Sequence, residues 1–262
     1  MKRREFVKYL GAGSVYIGVV SCGASRVFSN SYNEAACREA WKKLANKEPA
    51  FAYVTPDPKL KKVFLYGDSI SIGYTNTVRK ELADKANVFR IFNNGGSSDM
   101  FIPKMEQLKQ TMFEPNLKGG WDFTWDVIHF NVGLHDLKYL KDEKLDVKNG
   151  KQVSSIEVYK KNLVEICNYL KKEFPKAKLI FATTTAVPDE GAEGRIAGDS
   201  EIYNQAALEV IASYPSILIN DLYSFTKPHA AEWHIAPANV HYNNQGKTAQ
   251  GKEVAGIIAE NL

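Results

Sequence analysis

Ser69 follows Gly67 and Asp68, and this Gly-Asp-Ser triplet closes the apolar run Val63-Phe64-Leu65-Tyr66. A serine hydroxyl becomes a useful nucleophile only when a neighbouring base takes its proton. His241, late in the chain and just before a stretch of helical composition, can supply that base. Backbone N–H groups where a strand turns into a helix can hold a developing anion, and Gly67 lets the chain turn tightly there. The chemistry such a set performs is acyl transfer. Asp-Ser also caps helices in many proteins, and a three-residue motif is a weak signal. The rest of the chain decides between the two.

Other apolar runs also end in residues with chemical capacity. The second leads into Asn93-Asn94-Gly95-Gly96-Ser97-Ser98-Asp99. There the Gly96 N–H is the preferred candidate donor to an oxyanion, with Gly95 and Ser98 beside it. The third ends in Gly133-Leu134-His135-Asp136, where a neutral His135 can donate one N–H and Asp136 is suited to orient the turn. The fourth runs to Thr183-Thr184-Thr185 and a loop holding Arg195, readable as a substrate clamp or as a solvated arginine. His129 lies inside a strand and reads as packed, and His229 and His234 read as loop residues.

The elements that must position these residues alternate. Strands are predicted at Val63–Tyr66, Val88–Phe92, Val127–Asn131, Leu179–Thr183 and Ile217–Asn220. Helices are predicted at Tyr74–Ala86, Met100–Phe113, Ile156–Phe174, Ser200–Tyr214 and Gln245–Asn261. Strands alternating with helices predict a parallel sheet covered on both faces. In such sheets ligands sit at the carboxyl ends of the strands, where Ser69, Gly96 and His135 fall.

In order, these residues resemble the four short blocks of the SGNH (GDSL-type) hydrolases, over residues 61–262. The resemblance implies a three-layer α/β/α sandwich with a five-stranded parallel sheet, flavodoxin-like in order. It makes Ser69 the nucleophile and His241 the base, with Ser69, Gly96 and His135 supplying the oxyanion hole. Two positions depart from the family's pattern. His135 stands where the third block has asparagine, and Ala238 stands three residues before His241, where the family has aspartate. The third triad member fixes the imidazole tautomer and stabilises its charge. With Ala238 there, that role falls to a backbone carbonyl or to an acid from elsewhere.

The chain of 262 residues, 44% hydrophobic, is long enough to bury one full core. Residues 1–21 read as an export signal: Lys2-Arg3-Arg4 resembles a twin-arginine motif, and the apolar run Leu10 to Ser21 is short for a membrane span. Val19-Val20-Ser21-Cys22-Gly23 resembles a bacterial lipoprotein cleavage site, making Cys22 the lipidation candidate. Residues 22–60 read as tether, helix (Tyr32 to Lys47) and linker. The leader holds four of the 34 basic residues and one of the 30 acidic ones, leaving 30 against 29, a net of +1. That balance gives no argument for nucleic acid. Cys37 and Cys167 are the other two cysteines, and sequence leaves their pairing open. No metal motif and no phosphate-binding glycine pattern is found, so no cofactor is expected.

The resemblance to exported SGNH hydrolases implies, as the expected activity, removal of small acyl groups, acetate above all, from carbohydrate, by a lipoprotein of the bacterial envelope, periplasmic or on the cell surface. The abundant Tyr and Trp suit either sugar stacking or an acyl pocket. The alternatives are therefore a lipid esterase or thioesterase, and a noncatalytic carbohydrate-binding protein on the same fold.

Overall fold

The computed structural model describes residues 22–262, with side chains described from Asn33 onward. The predicted signal 1–21 and the side chain of Cys22 lie outside the described residues. Five strands form one sheet: β1 (Lys61–Tyr66), β2 (Ala86–Arg90), β3 (Val127–Phe130), β7 (Lys178–Ala182) and β8 (Ile217–Asn220). Their order is β2-β1-β3-β7-β8 and every pairing is parallel. All residues of β2 and β3 are buried, which requires helices on both faces and explains their unbroken apolar runs. Helices α2 (Ser69–Glu81) and α8 (Asn244–Ala259) pack together, and α3 (Phe101–Met112), α4 (Ile156–Glu173) and α5 (Asp199–Ile211) form a second layer. The short α6 (Leu222–Thr226) and α7 (Ala230–Trp233) lead from β8 towards α8. The result is the expected α/β/α sandwich with flavodoxin-like order.

Three elements differ from the sequence reading. Helix α2 begins at Ser69, not Tyr74, because the Asp68 carboxylate caps it by accepting the Ile70 N–H at 2.9 Å. Helix α1 (Cys22–Leu44) starts before the predicted Tyr32, so the stretch read as tether is helical. Residues 139–152, left without structure by the sequence reading, form a small antiparallel sheet of β4 (Tyr139–Lys141), β5 (Lys144–Leu145) and β6 (Lys151–Gln152). Its two-residue turn, Asp142-Glu143, holds φ of 49° and 63°. Such turns are usually announced by Asn-Gly or Asp-Gly, and here no glycine marks it.

Helix α1 runs along the molecule from the amino ends of the strands towards their carboxyl ends. Midway along it, Asn33 packs on Gly119 and the Cys37 thiol reaches the Lys118 carbonyl at 3.9 Å, both in the connection leading to β3. Just past its end, the Asn46 N–H donates to the Phe92 carbonyl at 3.0 Å, beyond the finish of β2. Between these, Trp41 meets Trp121 with ring centroids 5.0 Å apart, and Phe89 and Trp125 complete an aromatic cluster. All four tryptophans (Trp41, Trp121, Trp125 and Trp233) are buried. None is therefore free to stack on a sugar ring. Cys37 and Cys167 are both buried free thiols. Among the described residues no helix is long and apolar enough to cross a membrane.

Candidate active site

Ser69 opens α2 directly after β1, so its own N–H has no partner within the helix and remains available to an anion. His241 arrives from the loop before α8, which is held in register by an antiparallel bridge between His234 and Tyr242 and by Ile235 N–H donating to the His241 carbonyl at 3.0 Å. The loop is anchored by Val240 and Tyr242, both buried. This places His241 Nε2 3.0 Å from Ser69 Oγ, although 172 residues separate them.

Asn239, which the sequence reading passed over, fills the third position. Its Oδ1 lies 2.9 Å from the His241 backbone N–H and 2.8 Å from His241 Nδ1. A backbone N–H only donates, so the atom it meets must be the amide oxygen. The imidazole must then donate from Nδ1 to the same oxygen, which leaves Nε2 unprotonated and facing Ser69. Asn239 Nδ2, pointing the other way, reaches Glu193 Oε1 at 3.5 Å. Ala238 carries no part of this. A template with aspartate three residues before the histidine looks one residue too early. The readable signal was an Asx-turn, in which an asparagine caps the N–H two residues on.

An amide oxygen orients the imidazole as a carboxylate would, with less stabilisation of the imidazolium. Asn239→Ala is therefore expected to lower kcat by on the order of 10- to 100-fold, the size of one lost hydrogen bond. Asn239→Asp should keep most of the activity. Steady-state kinetics on a chromogenic ester decides it, and equal losses in both variants would remove Asn239 from the triad.

The second block approaches the first closely. Gly95 N–H donates to the Gly67 carbonyl at 3.0 Å, and a Cβ on Gly95 would stand 2.8 Å from that oxygen. Only glycine fits there. Tyr66 Oη donates to the Gly95 carbonyl at 2.9 Å, and Lys104 donates to Asn93 Oδ1 at 3.0 Å and to the Asn94 carbonyl. The expected donor, Gly96, has φ of 76°, and its N–H donates to Asn94 Oδ1 at 3.0 Å. The Ser98 N–H donates to the Asp136 carboxylate at 3.0 Å. All three second-block donors named from sequence are thus engaged within the protein. Gly96 could serve an oxyanion only after Asn94 lets go.

Asp136 orients its turn, as read from sequence, and does more. Wholly buried, it accepts from Ser98 Oγ at 2.5 Å as well as from the Ser98 N–H, tying the third block to the second. Burial raises its pKa to about 6, against the hydrogen bonds from Ser98 and Ser154. Arg195 is not a solvated surface arm, although it still lines the depression beside Ala238. It is 4% exposed, and its Nε donates to the Leu134 carbonyl at 2.8 Å and its Nη1 to the Glu193 carbonyl at 3.3 Å. It braces the turn that presents His135.

His135 lies largely buried beside Lys138, whose Nζ is 3.3 Å from His135 Nδ1. Burial, with Lys138, Arg195 and Lys104 nearby and Asp68 opposing them, lowers its pKa to about 4. His135 is accordingly neutral at ordinary pH. His129 is a packed strand residue, as read: Asn220 Nδ2 donates to its Nε2 at 3.1 Å and burial drops its pKa to about 3. His229 stacks on Trp233 with centroids 4.1 Å apart. Among the described residues no group of three or more His, Cys, Asp or Glu is placed to hold a metal ion.

No protein-family model matches the chain, and no curated protein matches it in sequence. Solved structures do match in shape. A lipase/acylhydrolase from Enterococcus faecalis superposes with a TM-score of 0.58 at 17% identity, over 77% of this chain and 96% of that one. The acetyl xylan esterase AlAXEase gives 0.55 at 17% identity, over 75% and 99%. A carbohydrate esterase family 2 enzyme plus carbohydrate binding domain from Corynascus thermopiles (Myceliophthora fergusii) gives 0.56 at 17%, over 80% and 68%. At these identities the likeness is one of fold.

Proposed function

We propose that the chain is a serine ester hydrolase that removes small acyl groups, chiefly acetyl, from carbohydrate. The observation that carries this is the chain of contacts from Ser69 Oγ to His241 Nε2 at 3.0 Å and from His241 Nδ1 to Asn239 Oδ1 at 2.8 Å. Ser69 Oγ attacks the ester carbonyl carbon as His241 Nε2 takes its proton. The Ser69 N–H and His135 hold the oxyanion. Collapse expels the alcohol, protonated by His241, and leaves the acyl group on Ser69. Water, deprotonated by the same imidazole, then releases the acid and restores the serine.

The substrate class is supported by the surroundings of the His241 loop. A groove of about 800 Å³ adjoins it, lined in part by Ala186, Val187, Ile235 and Pro237 and rimmed by Asp189 and Glu190. A shallower depression beside Ala238 shares those two acids and adds Glu193. In the groove Lys227 is paired with Glu201 at 3.5 Å, and in the depression Arg195 donates to backbone carbonyls. The rim acids, which make no ion pair among the described residues, therefore leave a negative balance that disfavours anionic groups and suits neutral, hydroxyl-rich ones. With the tryptophans buried, sugar recognition falls to polar and aliphatic contacts. The similar structures that carry out acetyl xylan and carbohydrate ester chemistry lend support by analogy.

Acetylated neutral glycans, acetylated uronic-acid glycans and p-nitrophenyl esters of rising chain length separate the readings. Acetyl release from neutral glycans should exceed that from uronate polymers, and kcat/KM on nitrophenyl esters should fall beyond butyrate. A maximum at long chains would instead identify a lipid esterase or thioesterase. Inactivity on every ester would leave a carbohydrate-binding protein.

We also place the chain at the bacterial envelope with Cys22 as its lipid anchor. The support is sequential: paired arginines, an apolar run and then a cysteine. The two or three acyl chains of a mature lipoprotein anchor stably where one would not. Intact mass of the exported protein should show the lipid on Cys22, and an unmodified terminus beyond that residue would reject the assignment.

A further inference from the structure

Histidine in the third block raises a difficulty that asparagine does not. An asparagine amide always presents N–H groups, whereas a neutral imidazole has one N–H that can reside on either nitrogen. Left to itself His135 would divide between the two forms, and a donor present only part of the time weakens an oxyanion hole. The neighbouring turn resolves this. Lys138, three residues on, places its ammonium 3.3 Å from His135 Nδ1. An ammonium has three donors and no acceptor, so the contact forms only when Nδ1 offers its lone pair. The proton must then sit on Nε2.

We propose that Lys138 is a positioning residue that locks His135 in the Nε2–H tautomer, making this imidazole an obligate donor to the oxyanion. This rests on the assignment of His135 to the oxyanion hole, and extends it. The surrounding contacts favour the lock. The turn is braced through Leu134 by Arg195, and the Tyr139 N–H donates to the Gly194 carbonyl at 2.7 Å, so the backbone between His135 and Lys138 is fixed at both ends. The Lys138 N–H itself donates to the His135 carbonyl at 3.4 Å, closing the turn that puts residue 138 over the ring. The charged groups facing the pair are Asp68, Lys104, Glu193 and Arg195. Lys138 makes no ion pair within 4.0 Å among the described residues, which leaves its ammonium free for the ring. A positive charge behind the ring also strengthens the N–H on its far side as a donor.

Two measurements test it, one of which needs no substrate. Nitrogen-15 spectra of the full protein with labelled histidine should show His135 protonated on Nε2, and Lys138→Met should move it towards a mixture of tautomers. A wild-type ring protonated on Nδ1, or a spectrum unmoved by Lys138→Met, overturns the proposal. In steady state Lys138→Met should lower kcat on the order of 10-fold with KM little changed, and Lys138→Arg should restore most of it. The decisive comparison is in a His135→Asn background, where no tautomer exists to be fixed and Lys138→Met should be silent. A loss of the same size there would assign Lys138 a merely structural role. Should wild type hydrolyse no ester, the hydrolase reading falls, and the spectra still decide the tautomer.

Discussion

Ser69→Ala is expected to abolish ester hydrolysis, with kcat falling on the order of 10⁴–10⁶ while the protein stays folded. The folded state is spared because Ser69 is the first residue of α2, and the cap of that helix comes from Asp68. Removing Oγ deletes the nucleophile and its contact to His241, and leaves the N–H donor and Asn239 in place. His241→Ala should lose activity to a similar degree, and the double variant little more, because the two side chains act as one unit. An organophosphonate should label wild type on Ser69 and fail with Ser69→Ala. Unfolding midpoints of both variants, followed by circular dichroism, separate lost chemistry from lost structure. Full turnover in Ser69→Ala would end the nucleophile assignment.

The second large effect belongs to His135. His135→Ala should reduce kcat by on the order of 10²–10³, the usual loss for one oxyanion donor. His135→Asn should retain substantial activity, since an amide offers an N–H from the same turn. The pH dependence separates the two functional histidines. Two imidazoles of ordinary pKa would both titrate in the acid limb of the activity profile. Burial and three nearby cations instead hold the pKa of His135 down at about 4. Its neutral, donating form is complete above that value and is lost as the pH falls through it. In the range above pH 5, about one unit beyond it, His135→Asn should leave the shape of the profile unchanged while altering its height. A profile that shifts on this substitution, or an undiminished His135→Ala, would remove His135 from the oxyanion hole.

The sheet was legible because its strands are buried on both faces, and unbroken apolar runs such as Val127–Phe130 leave little room for another reading. Ser69 and His241 were legible because strand-end chemistry concentrates in a few residue types. What escaped depends on geometry that composition does not encode. Asn239 acts through a two-residue reach of its side chain, and no residue count predicts which loop residue will face the imidazole. Gly96 looked available because its N–H is unencumbered in the sequence, but folding turns it onto Asn94. Arg195 looked like a surface arm until the turn at Leu134 gave its guanidinium a buried carbonyl. The Asp142-Glu143 turn was hidden because neither residue is a usual choice for φ above zero. Folding also enclosed the tryptophans that composition alone offered to sugars.

Helix α1 sets the direction in which the candidate site faces. Its packed portion starts beside Gly119, at the amino ends of the strands, and Ser69 lies at their carboxyl ends. The helix continues from Asn33 back to Cys22, which at a rise of ~1.5 Å per residue carries the chain roughly 16 Å further from the catalytic pole. If Cys22 carries the lipid proposed above, that lipid sits at the far end of the molecule from Ser69. An anchored copy would stand on its closed end with its open end turned outward. Esters in the membrane beneath it would be out of reach, and chains drifting past above it would not.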